Sequence, residues 1–416
     1  MITSPPPALD VDFVRAHFPP LADGWAFFEN AGGSYVPRSV IDRVQAYMRE
    51  CQVQPGPVGA SKDAAERIAA GQAGIAAALG AAPDEVIIGP STTTNFYVLS
   101  HALRSWFAPG DEVVVTDIDH EANNTPWRRL EEIGVTVREW KLDTATGGLD
   151  LAGLDNVLSE RTRVVAFTAC SNITGTWNDV AGLVARIHEA GALACIDAVA
   201  LGSHRAIDVK ALDVDFLACS LYKLYGPHVA ALYGKRAHLL RAKGQNHDFF
   251  AEDDIPLKLN PGGPSHEFTA ALSGIIDYFE AVHGHHFGAT ANDLAGRVRA
   301  AYGLFEAQEE RIAAPFVDFL TASPKIRLLG LATADRTRRV PTFAFDVPGA
   351  DLVAIRDALA GRKINVGVSH FYAPRALEAY GLDPDRGVLR ASMVHYNNAD
   401  DVTRLIDGLD AALAAI

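Results

Sequence analysis

The chain has 416 residues, of which 49% are hydrophobic and 21% charged, and its formal net charge at pH 7 is −14. This composition excludes disordered and fibrous proteins, and the length suffices for one large hydrophobic core and a smaller one. The acidic balance disfavours nucleic-acid partners, and no apolar run reaches the roughly 20 residues that a membrane-spanning helix needs.

The N-terminal stretch MITSPPPALDVDF lacks a basic segment followed by an apolar one, so we expect no signal peptide. Four cysteines are dispersed along the chain, three of them within apolar, strand-like runs. Dispersed cysteines in a long chain are typical of reduced thiols. We therefore predict a cytoplasmic protein with no membrane partner.

Between residues 85 and 235, short apolar runs alternate with helical patterns. The strand-like runs are 85–89, 111–117, 135–140, 163–170, 192–198, 215–220 and 230–234. Continuous apolar strands separated by amphipathic helices indicate an α/β sheet that is covered on both faces. In such sheets ligands bind beyond the carboxyl ends of the strands.

The pattern changes in the last third of the chain. Residues 265–310 are mostly helical, and from about residue 311 strands alternate with helices in a different arrangement. We predict strands in 340–347 and 387–396, and helices in 350–362 and 400–416. These elements indicate a smaller α+β domain at the C-terminus.

Lys223 lies in the apolar stretch LACSLYKLYGPHVAALYG, after a predicted strand and before Gly226 and Pro227. An apolar setting favours the neutral amine, and a neutral amine can form a Schiff base with an aldehyde. Alternatively, the lysine stem packs on tyrosines while its ammonium reaches solvent. This stretch alone slightly favours that second interpretation.

Asp197 shifts the balance because it ends the strand that precedes the Lys223 strand in the chain. A carboxylate can keep a bound pyridine nitrogen protonated, which lets the ring accept electrons from a carbanion. An Asp after a strand is also a common helix cap. The two residues at neighbouring strand ends together favour a pyridine cofactor more than either does alone.

A phosphate site is predicted where IIGPSTTTNF passes from a strand into a helix. Free N–H groups and hydroxyls at a helix N-terminus bind phosphate, although the same residues, Ser91 to Thr94, could simply cap the helix. His120 and Asn172 follow two further strands. His120 could stack on a flat ring or be an ordinary half-buried histidine, and Asn172 could bond a phenolic oxygen or hold a turn.

These residues, in this order, resemble the class-V aminotransferase family of pyridoxal-phosphate enzymes, in particular its cysteine desulfurase and selenocysteine lyase branch. The motifs that carry the resemblance run from residue 27 to 398 and are FFENAGGS, STTTN, DHEANN–PW, SNITGT, IDAVALGSH, SLYKLYGP, NPGGPSHE and LRASMVHYNN.

The resemblance implies an α/β protein of fold type I, with a mainly parallel seven-stranded sheet flanked by helices and a smaller α+β C-terminal domain. We expect a large cofactor-binding domain at 21–294, a small domain at 295–416, and an N-terminal arm at 1–20 that packs near the small domain. It also implies a homodimer with active sites at the subunit interface.

The resemblance further implies pyridoxal phosphate as cofactor and assigns the site residues. Lys223 would hold the cofactor as a Schiff base and move the Cα proton of an amino-acid substrate, while His120 would stack on the ring. The remaining expected cofactor residues are Thr92, Thr93, Asn172, Asp197, Ser220, Tyr222 and, reaching the neighbouring subunit's phosphate, His266. Arg390 and Asn30 are expected to bind the substrate, with the Arg390 guanidinium holding its carboxylate.

The chain departs from the desulfurase pattern where sulfur is handled. The loop VGVSHFYAPRALEAYG contains no cysteine, and Tyr372 stands roughly where the sulfur-accepting cysteine would be. An arginine usual a few residues earlier is missing near Gly367. Three further departures are Tyr222 for His, Ala200 for Gln and His266 for Thr.

The cofactor frame without the loop thiol predicts a pyridoxal-phosphate enzyme that performs β-elimination, including C–S lysis, without a persulfide. The alternatives are an aminotransferase or epimerase on the same scaffold, or a non-catalytic protein that kept the fold. Cys51 is an unfavoured candidate thiol. We predict no metal site: His283, His285 and His286 in AVHGHHFG could bind metal, but a solvated turn or interface patch is favoured.

Overall fold

A computed structural model describes residues 7–289 and 293–415 of the chain. Its strands, in chain order, are β1 (Ala26–Phe27), β2 (Val86–Gly89), β3 (Glu112–Thr116), β4 (Thr136–Trp140), β5 (Thr162–Thr168), β6 (Leu193–Asp197), β7 (Phe216–Ser220), β8 (Ala230–Gly234), β9 (Arg327–Leu328), β10 (Thr342–Asp346), β11 (Ile364–Asn365), β12 (Gly367–Ser369) and β13 (Val388–Ser392).

The helices of the described residues surround these strands. They are α1 (Val11–Arg15), α2 (Arg38–Glu50), α3 (Gly59–Ala78), α4 (Thr92–Ala102), α5 (Thr125–Arg128), α6 (Leu151–Asp155), α7 (Val180–Glu189), α8 (Arg236–Arg241), α9 (Ile255–Lys258), α10 (His266–Ala271), α11 (Ser273–Phe287), α12 (Leu294–Ala322), α13 (Leu352–Ala360), α14 (Pro374–Ala379) and α15 (Ala399–Ala414).

The large sheet has the strand order β2-β8-β7-β6-β5-β3-β4. Only β8 runs antiparallel to its neighbours in this described sheet, so the predicted mainly parallel seven-stranded sheet is confirmed. Separate apolar clusters cover its two faces, which explains why most of these strands are apolar throughout. The register of β5, β6 and β7 brings Thr168, Asp197 and Ala218 side by side near the carboxyl edge.

The C-terminal part contains a second, antiparallel sheet with the order β12-β13-β10-β9. Two of its strands, β10 and β13, fall within the predicted segments 340–347 and 387–396, and α13 and α15 match the predicted helices. A third apolar cluster lies between this sheet and its helices. The remaining strands of this part are only two or three residues long, too short to carry a recognisable pattern.

Helix α12 connects the two parts of the molecule. Its first half, with Tyr302 and Phe305, packs in the core of the large sheet, and its second half, with Ile312 and Phe316, packs in the C-terminal core. The predicted boundary at 294/295 falls at the start of this helix, and the division into domains stays a prediction.

Part of the N-terminal arm, residues 1–6, lies outside the described residues. In the remainder, Arg15 Nη1 donates to the backbone oxygen of Tyr396 at 2.8 Å and to Asp401 Oδ2 at 2.9 Å. Phe18 packs on the aromatic rings of Tyr225 and Tyr278. The arm thus contacts both the large-sheet core and the C-terminal segment. Within 7–289 and 293–415, no helix is both long and apolar enough to cross a membrane.

Candidate active site

A cavity of about 490 Å³ opens at the carboxyl edge of the large sheet. It brings together most residues predicted from the sequence. The predicted residues that line it are Thr92, Thr93, His120, Asn172, Asp197, Ser220, Tyr222 and Lys223. These side chains come from five separate segments, and they meet because parallel strands end at one edge of a sheet.

Lys223 lies just beyond β7 and is 7% exposed. Its ammonium makes no hydrogen bond to any described residue, and Nζ lies 5.9 Å from the centre of the Tyr222 ring. Burial and the positive charge of Arg390 lower the pKa of Lys223 to about 8, although Asp197 acts in the opposite direction. About a tenth of the amine is therefore neutral at pH 7.

Asp197 is the last residue of β6 and is buried. Its Oδ1 accepts a hydrogen bond from the backbone N–H of Val199 at 2.8 Å. Burial raises the pKa of Asp197 to about 6, while that hydrogen bond and the charge of Lys223 act against the rise. The carboxylate is thus mostly ionised at neutral pH and can pair with a cationic group in the cavity.

The predicted phosphate cradle lies at the N-terminus of α4. Ser91 caps the helix by accepting the Thr94 N–H at 3.0 Å, and the Thr92 hydroxyl lies 2.8 Å from that of Ser220. Thr93 is exposed at the cavity. The N–H groups of the first helical turn and the hydroxyls of Thr92, Thr93 and Ser220 therefore face one space, a setting that favours an anion.

His120 and Asn172 flank the cavity on the side away from the cradle. Burial and the positive charges of Lys223 and Arg390 lower the pKa of His120 to about 3, so its ring is neutral at pH 7. Its Nδ1 accepts the Ala122 N–H at 3.0 Å. Asn172 donates from Nδ2 to the Phe371 carbonyl at 2.9 Å, so its amide is already used to hold the neighbouring loop.

Arg390 lies on β13 and contacts the backbone of Asn172. Its Nη1 donates to the Asn172 backbone oxygen at 3.1 Å, and its guanidinium carbon lies 3.6 Å from the centre of the Phe371 ring. The side chain is buried, and its Nε has no partner among the described residues. Burial lowers the pKa of Arg390 to about 10, which leaves the guanidinium charged at pH 7.

The loop between β12 and α14 covers this arginine. Phe371 and Tyr372 both adopt left-handed backbone conformations, with φ of 48° and 58°. Tyr372 is 67% exposed and its ring lies 5.1 Å from that of His120. The Tyr372 carbonyl accepts the Glu121 N–H at 2.8 Å, and Arg375 pairs with the Glu121 carboxylate. The loop is therefore fastened to the segment that carries His120.

Gly367 begins β12 and pairs with Arg390 across the sheet. A Cβ atom at this position would overlap the Glu29 carboxylate and the ring of Phe371. Glu29 also lies near enough to Arg390 for its charge to raise the pKa of the guanidinium. No arginine is present at position 367, and the space beside Gly367 is occupied by the Glu29 carboxylate and the Phe371 ring.

Three further residues predicted from the sequence differ in their surroundings: Tyr222, His266 and Asn30. Tyr222 lines the cavity and stacks on the His228 ring, with the ring centres 4.6 Å apart. His266 starts α10 and lines a different cavity, so its contact with a neighbouring subunit's phosphate stays a prediction. Asn30 is buried and donates to the Ser392 carbonyl at 2.8 Å. Its oxygen accepts from Tyr396. Its substrate contact stays a prediction, which these structural bonds do not support.

None of the four cysteines carries an accessible thiol, since all are free and buried. Cys51 packs between Tyr47 and Ala270 outside the cavity. Cys170 borders the cavity, but burial raises its pKa to about 12 and its Sγ donates to the Gly175 carbonyl at 3.4 Å. A thiolate nucleophile is therefore disfavoured at each position.

The histidine cluster does not form the expected solvated turn, because all three residues lie on α11. His285 Nε2 contacts Asp10 Oδ2 at 3.0 Å, and the Asp10 N–H donates to His286 Nε2 at 2.8 Å. His285 and His286 thus fasten the start of α1 to α11. Among the described residues, no group of three His, Cys, Asp or Glu side chains could hold a metal ion.

Two residues of the site were missed by the sequence analysis. Asp119 is fully buried beside Asp197 and accepts the Thr168 N–H at 3.1 Å, which fixes the segment before His120. Its position beside His120 after a strand was an available signal. Phe371, which covers Arg390, gave no signal, because an aromatic residue in a loop has no characteristic pattern.

The residues present fit pyridoxal phosphate. The helix N-terminus provides for the phosphate, ionised Asp197 for the ring nitrogen, neutral His120 for the ring face, and unpartnered Lys223 for the aldehyde. Fold and site together define a pyridoxal-phosphate enzyme of fold type I.

Comparison with known proteins gives the family: residues 26–405 match the class-V aminotransferase model, and the chain belongs to that family. It is 34% identical to the aminotransferase-like protein FGM3 of Gibberella zeae, over 98% of this chain and 99% of that protein. It is 31% identical to the cysteine desulfurase-like protein ustD of Aspergillus flavus, over 97% and 90% respectively. The cysteine desulfurase CsdA of Escherichia coli has a similar structure, with a TM-score of 0.83, 25% identity and coverage of 99% and 100%.

Proposed function

We propose that this enzyme removes the Cα proton of an amino acid and then expels the β-substituent, releasing sulfur as a free thiol or sulfide when the substituent is sulfur. The observation that carries the proposal is the pairing of a buried, unpartnered Lys223 with a loop that has Tyr372 instead of a thiol. The site can activate the substrate, but Cys170, the one thiol among the described residues that line it, is buried and bonded to a backbone carbonyl, which disfavours covalent acceptance of sulfur.

Lys223 would hold the cofactor and, as a free amine, would move the proton at the substrate Cα. Its lowered pKa suits both tasks, because each requires the neutral amine. The bound cofactor supplies an electron sink for the pair left on Cα. Asp197 maintains that sink by keeping a negative charge at the ring nitrogen, and His120 excludes water from one ring face.

Arg390 orients the substrate by binding its carboxylate. A guanidinium presents parallel N–H groups, and here Nε is buried without a partner while Nη1 is held by Asn172. Phe371 covers one face of the guanidinium, which removes water and strengthens its attraction for a carboxylate. The substrate Cα is thereby held toward Lys223.

The products distinguish this proposal from the other reactions. With cysteine and water, β-elimination yields pyruvate, ammonia and sulfide in equal amounts. Desulfuration yields alanine, transamination yields a keto acid without free ammonia, and epimerisation yields the opposite enantiomer. The test is incubation with single amino acids and assay of all these products.

Cysteine variants complete the test. We expect Cys51→Ser and Cys170→Ser to keep sulfide release within about twofold of the parent enzyme, because both thiols are buried and neither is nucleophilic. Alanine as the main product, or loss of sulfide release in Cys51→Ser, contradicts the proposal.

An aminotransferase or epimerase is the second candidate. It uses the same Lys223, Asp197 and Arg390, and the relative named aminotransferase-like protein FGM3 favours it over a non-catalytic protein. Keto acid formed together with an aminated cofactor, or racemised substrate, supports this candidate instead.

The alternative that the protein is non-catalytic is tested by whether the cofactor attaches to Lys223. We expect the purified enzyme to absorb in the visible range and borohydride to fix the cofactor on Lys223. Lys258 is the internal control, because it is equally buried but its ammonium donates to the carbonyls of Leu240 and Glu252. Colourless protein that takes up no added pyridoxal phosphate contradicts any activity of this class.

We further infer a cytoplasmic homodimer. Four free cysteines support a reducing compartment. Val58 and Phe249 are 73% and 79% exposed, and the segments 53–58 and 249–266 around them border a second cavity that includes His266. Exposed apolar residues of this kind favour an interface. Light scattering of the purified enzyme should give about twice the mass of one chain, and a monomer contradicts the inference.

A further inference from the structure

The turn that carries Lys223 contains a strained residue. Tyr225 is fully buried and has a φ of +64°, a left-handed conformation that is unfavourable for a non-glycine residue. Such a conformation persists only where surrounding contacts hold it. Those contacts come from two distant parts of the chain, one near Ser34 and one near His395.

Ser34 bonds to the backbone on both sides of Lys223. Its hydroxyl donates to the Tyr222 carbonyl at 3.2 Å and accepts the Tyr225 N–H at 3.0 Å. Its own N–H donates to the same Tyr222 carbonyl at 3.2 Å. A single side chain therefore fixes the two peptide groups between which the lysine projects.

His395 holds the other end of Tyr225. The Tyr225 hydroxyl donates its proton to the Ser203 carbonyl at 2.6 Å, so its 3.1 Å contact with His395 Nδ1 requires an N–H on that nitrogen. Nε2 then carries the lone pair and accepts the Tyr278 hydroxyl at 2.5 Å. Burial keeps the pKa of His395 well below its usual value, so the ring stays neutral, and these hydrogen bonds select the tautomer.

The segments that hold the turn also hold the substrate arginine. Ala31, three residues before Ser34, donates its N–H to the Ser392 hydroxyl at 2.8 Å, two residues after Arg390. Gly32 lies against Arg390 Nη2, since a Cβ there would be only 3.6 Å from that nitrogen. The same two strips of chain therefore border both Lys223 and Arg390.

We propose that Ser34 and His395 are positioning residues that set the Lys223 amine relative to Arg390. Neither of them lines the cavity, and they act through Tyr222 and Tyr225. This inference rests on the part of the proposed function that attaches the cofactor to Lys223. It does not depend on which bond of the substrate is broken afterwards.

The test uses Ser34→Ala and Tyr225→Phe, with no substrate present. We expect the pH midpoint of the absorption change of the Lys223-bound cofactor to move by about 0.5 unit or more in both, because the amine changes its surroundings. With substrate, kcat should fall by about 10- to 100-fold while KM changes less, as for a reacting group displaced by a fraction of an ångström. Ser34→Thr should restore both values.

Matched controls separate positioning from stability. Ser39→Ala also removes a hydroxyl bonded to a carbonyl, that of Gly274, but far from Lys223, and Tyr278→Phe removes the other partner of His395. Both should leave the midpoint unchanged even where Tm falls. A parental midpoint in Tyr225→Phe, or in a folded Ser34→Ala, overturns the proposal. If Ser34→Ala does not fold, Tyr225→Phe alone decides, because it keeps the packed ring.

Discussion

At the scale of single residues, the site depends on charges that are buried without partners. Lys223 and the Nε of Arg390 have none among the described residues, and each would be costly in a protein that did not bind an anion or an aldehyde. The sequence indicated Lys223 and Asp197 because they follow strands of a recognisable sheet. It could not indicate Phe371 or Glu29, since their contacts with Arg390 and Gly367 depend on how distant segments fold together.

The lowered pKa of Lys223 gives a prediction for cofactor capture by the apoprotein. Capture requires the neutral amine, so its rate should rise with pH and level off above about 8. Arg390→Leu removes a neighbouring positive charge, which raises the pKa of Lys223 and moves the midpoint to higher pH. Stopped-flow absorbance measures it.

Arg386→Leu is the control for that prediction. Arg386 is another arginine of the C-terminal part, but it is bonded to Asp346 at 2.5 Å and does not contribute to the pKa of Lys223. We expect its midpoint to match the parent protein. Equal midpoints for the parent and Arg390→Leu would show that the charge of Arg390 does not reach the lysine.

At the scale of elements, the loop from Gly367 to Arg375 contains two of the departures from the desulfurase pattern, the absent cysteine and the absent arginine. The sequence shows that this loop has no cysteine, but it does not predict the conformation of the loop, because nothing in Phe371 or Tyr372 indicates a left-handed backbone. That conformation is held from outside, by the Glu121 N–H and the Arg375–Glu121 ion pair. Local sequence therefore could not determine it.

Loosening the loop is predicted to expose it. Arg375→Ala removes the ion pair with Glu121 and should increase both amide exchange at Glu121 and proteolytic cleavage near Tyr372 several-fold. Arg356→Ala, which removes an exposed pair with Asp357, is the control and should behave as the parent. Unchanged exchange at Glu121 would mean that the backbone bond alone holds the loop.

The start of β7 is joined to its neighbours by Asp215. Its carboxylate accepts from the N–H of Ala194 at 2.8 Å and contacts His188 and His238 at 2.8 and 3.0 Å. Burial alone would raise the pKa of Asp215, but these bonds outweigh it and the pKa lies below its usual range. Because the pKa of Asp215 is lowered in the folded protein, its ionised carboxylate stabilises the fold at any pH above its unfolded-state pKa. That stabilisation is lost as the pH falls from there through the folded-state pKa.

Asp215→Asn should therefore lower Tm at pH 7, and the difference from the parent should shrink as pH falls below about 4. Thermal unfolding of the apoprotein across pH measures both effects. Asp357→Asn, at an exposed position, should give no comparable difference. A Tm difference that stays constant with pH would assign the effect to packing and not to charge.

At the scale of the whole molecule, α12 joins the two hydrophobic cores. The sequence predicted the two sheets from their patterns, since each strand or helix of sufficient length carries its own signal. The family resemblance placed a boundary at 294/295, but the sequence could not reveal that the helix starting there contributes to both cores. A 29-residue helix shared in this way couples the stability of the two parts.

Phe316→Ala tests this coupling from the C-terminal core. Removing a buried phenylalanine costs about 3–5 kcal/mol. Four of the five tryptophans, Trp106, Trp127, Trp140 and Trp177, pack in or against the cores of the large sheet, so in a Trp25→Phe background the fluorescence reports on that sheet. We expect the tryptophan transition in urea to shift together with circular dichroism. Phe319→Ala, half-buried one turn along, should shift it less, and a tryptophan transition that stays in place contradicts the coupling.

The filled space above Gly367 constrains how this branch can exchange residues with its relatives. An arginine introduced there alone would meet the Glu29 carboxylate and the Phe371 ring before it reached the cavity. Changes at positions 29 and 371 must come first; a change at 371 alone uncovers Arg390, and a change at 29 alone removes a negative charge near it. Single substitutions that lead from this kind of loop to the desulfurase kind therefore have a preferred order. Grafting a desulfurase loop onto this scaffold requires changing positions 29, 367 and 371 together.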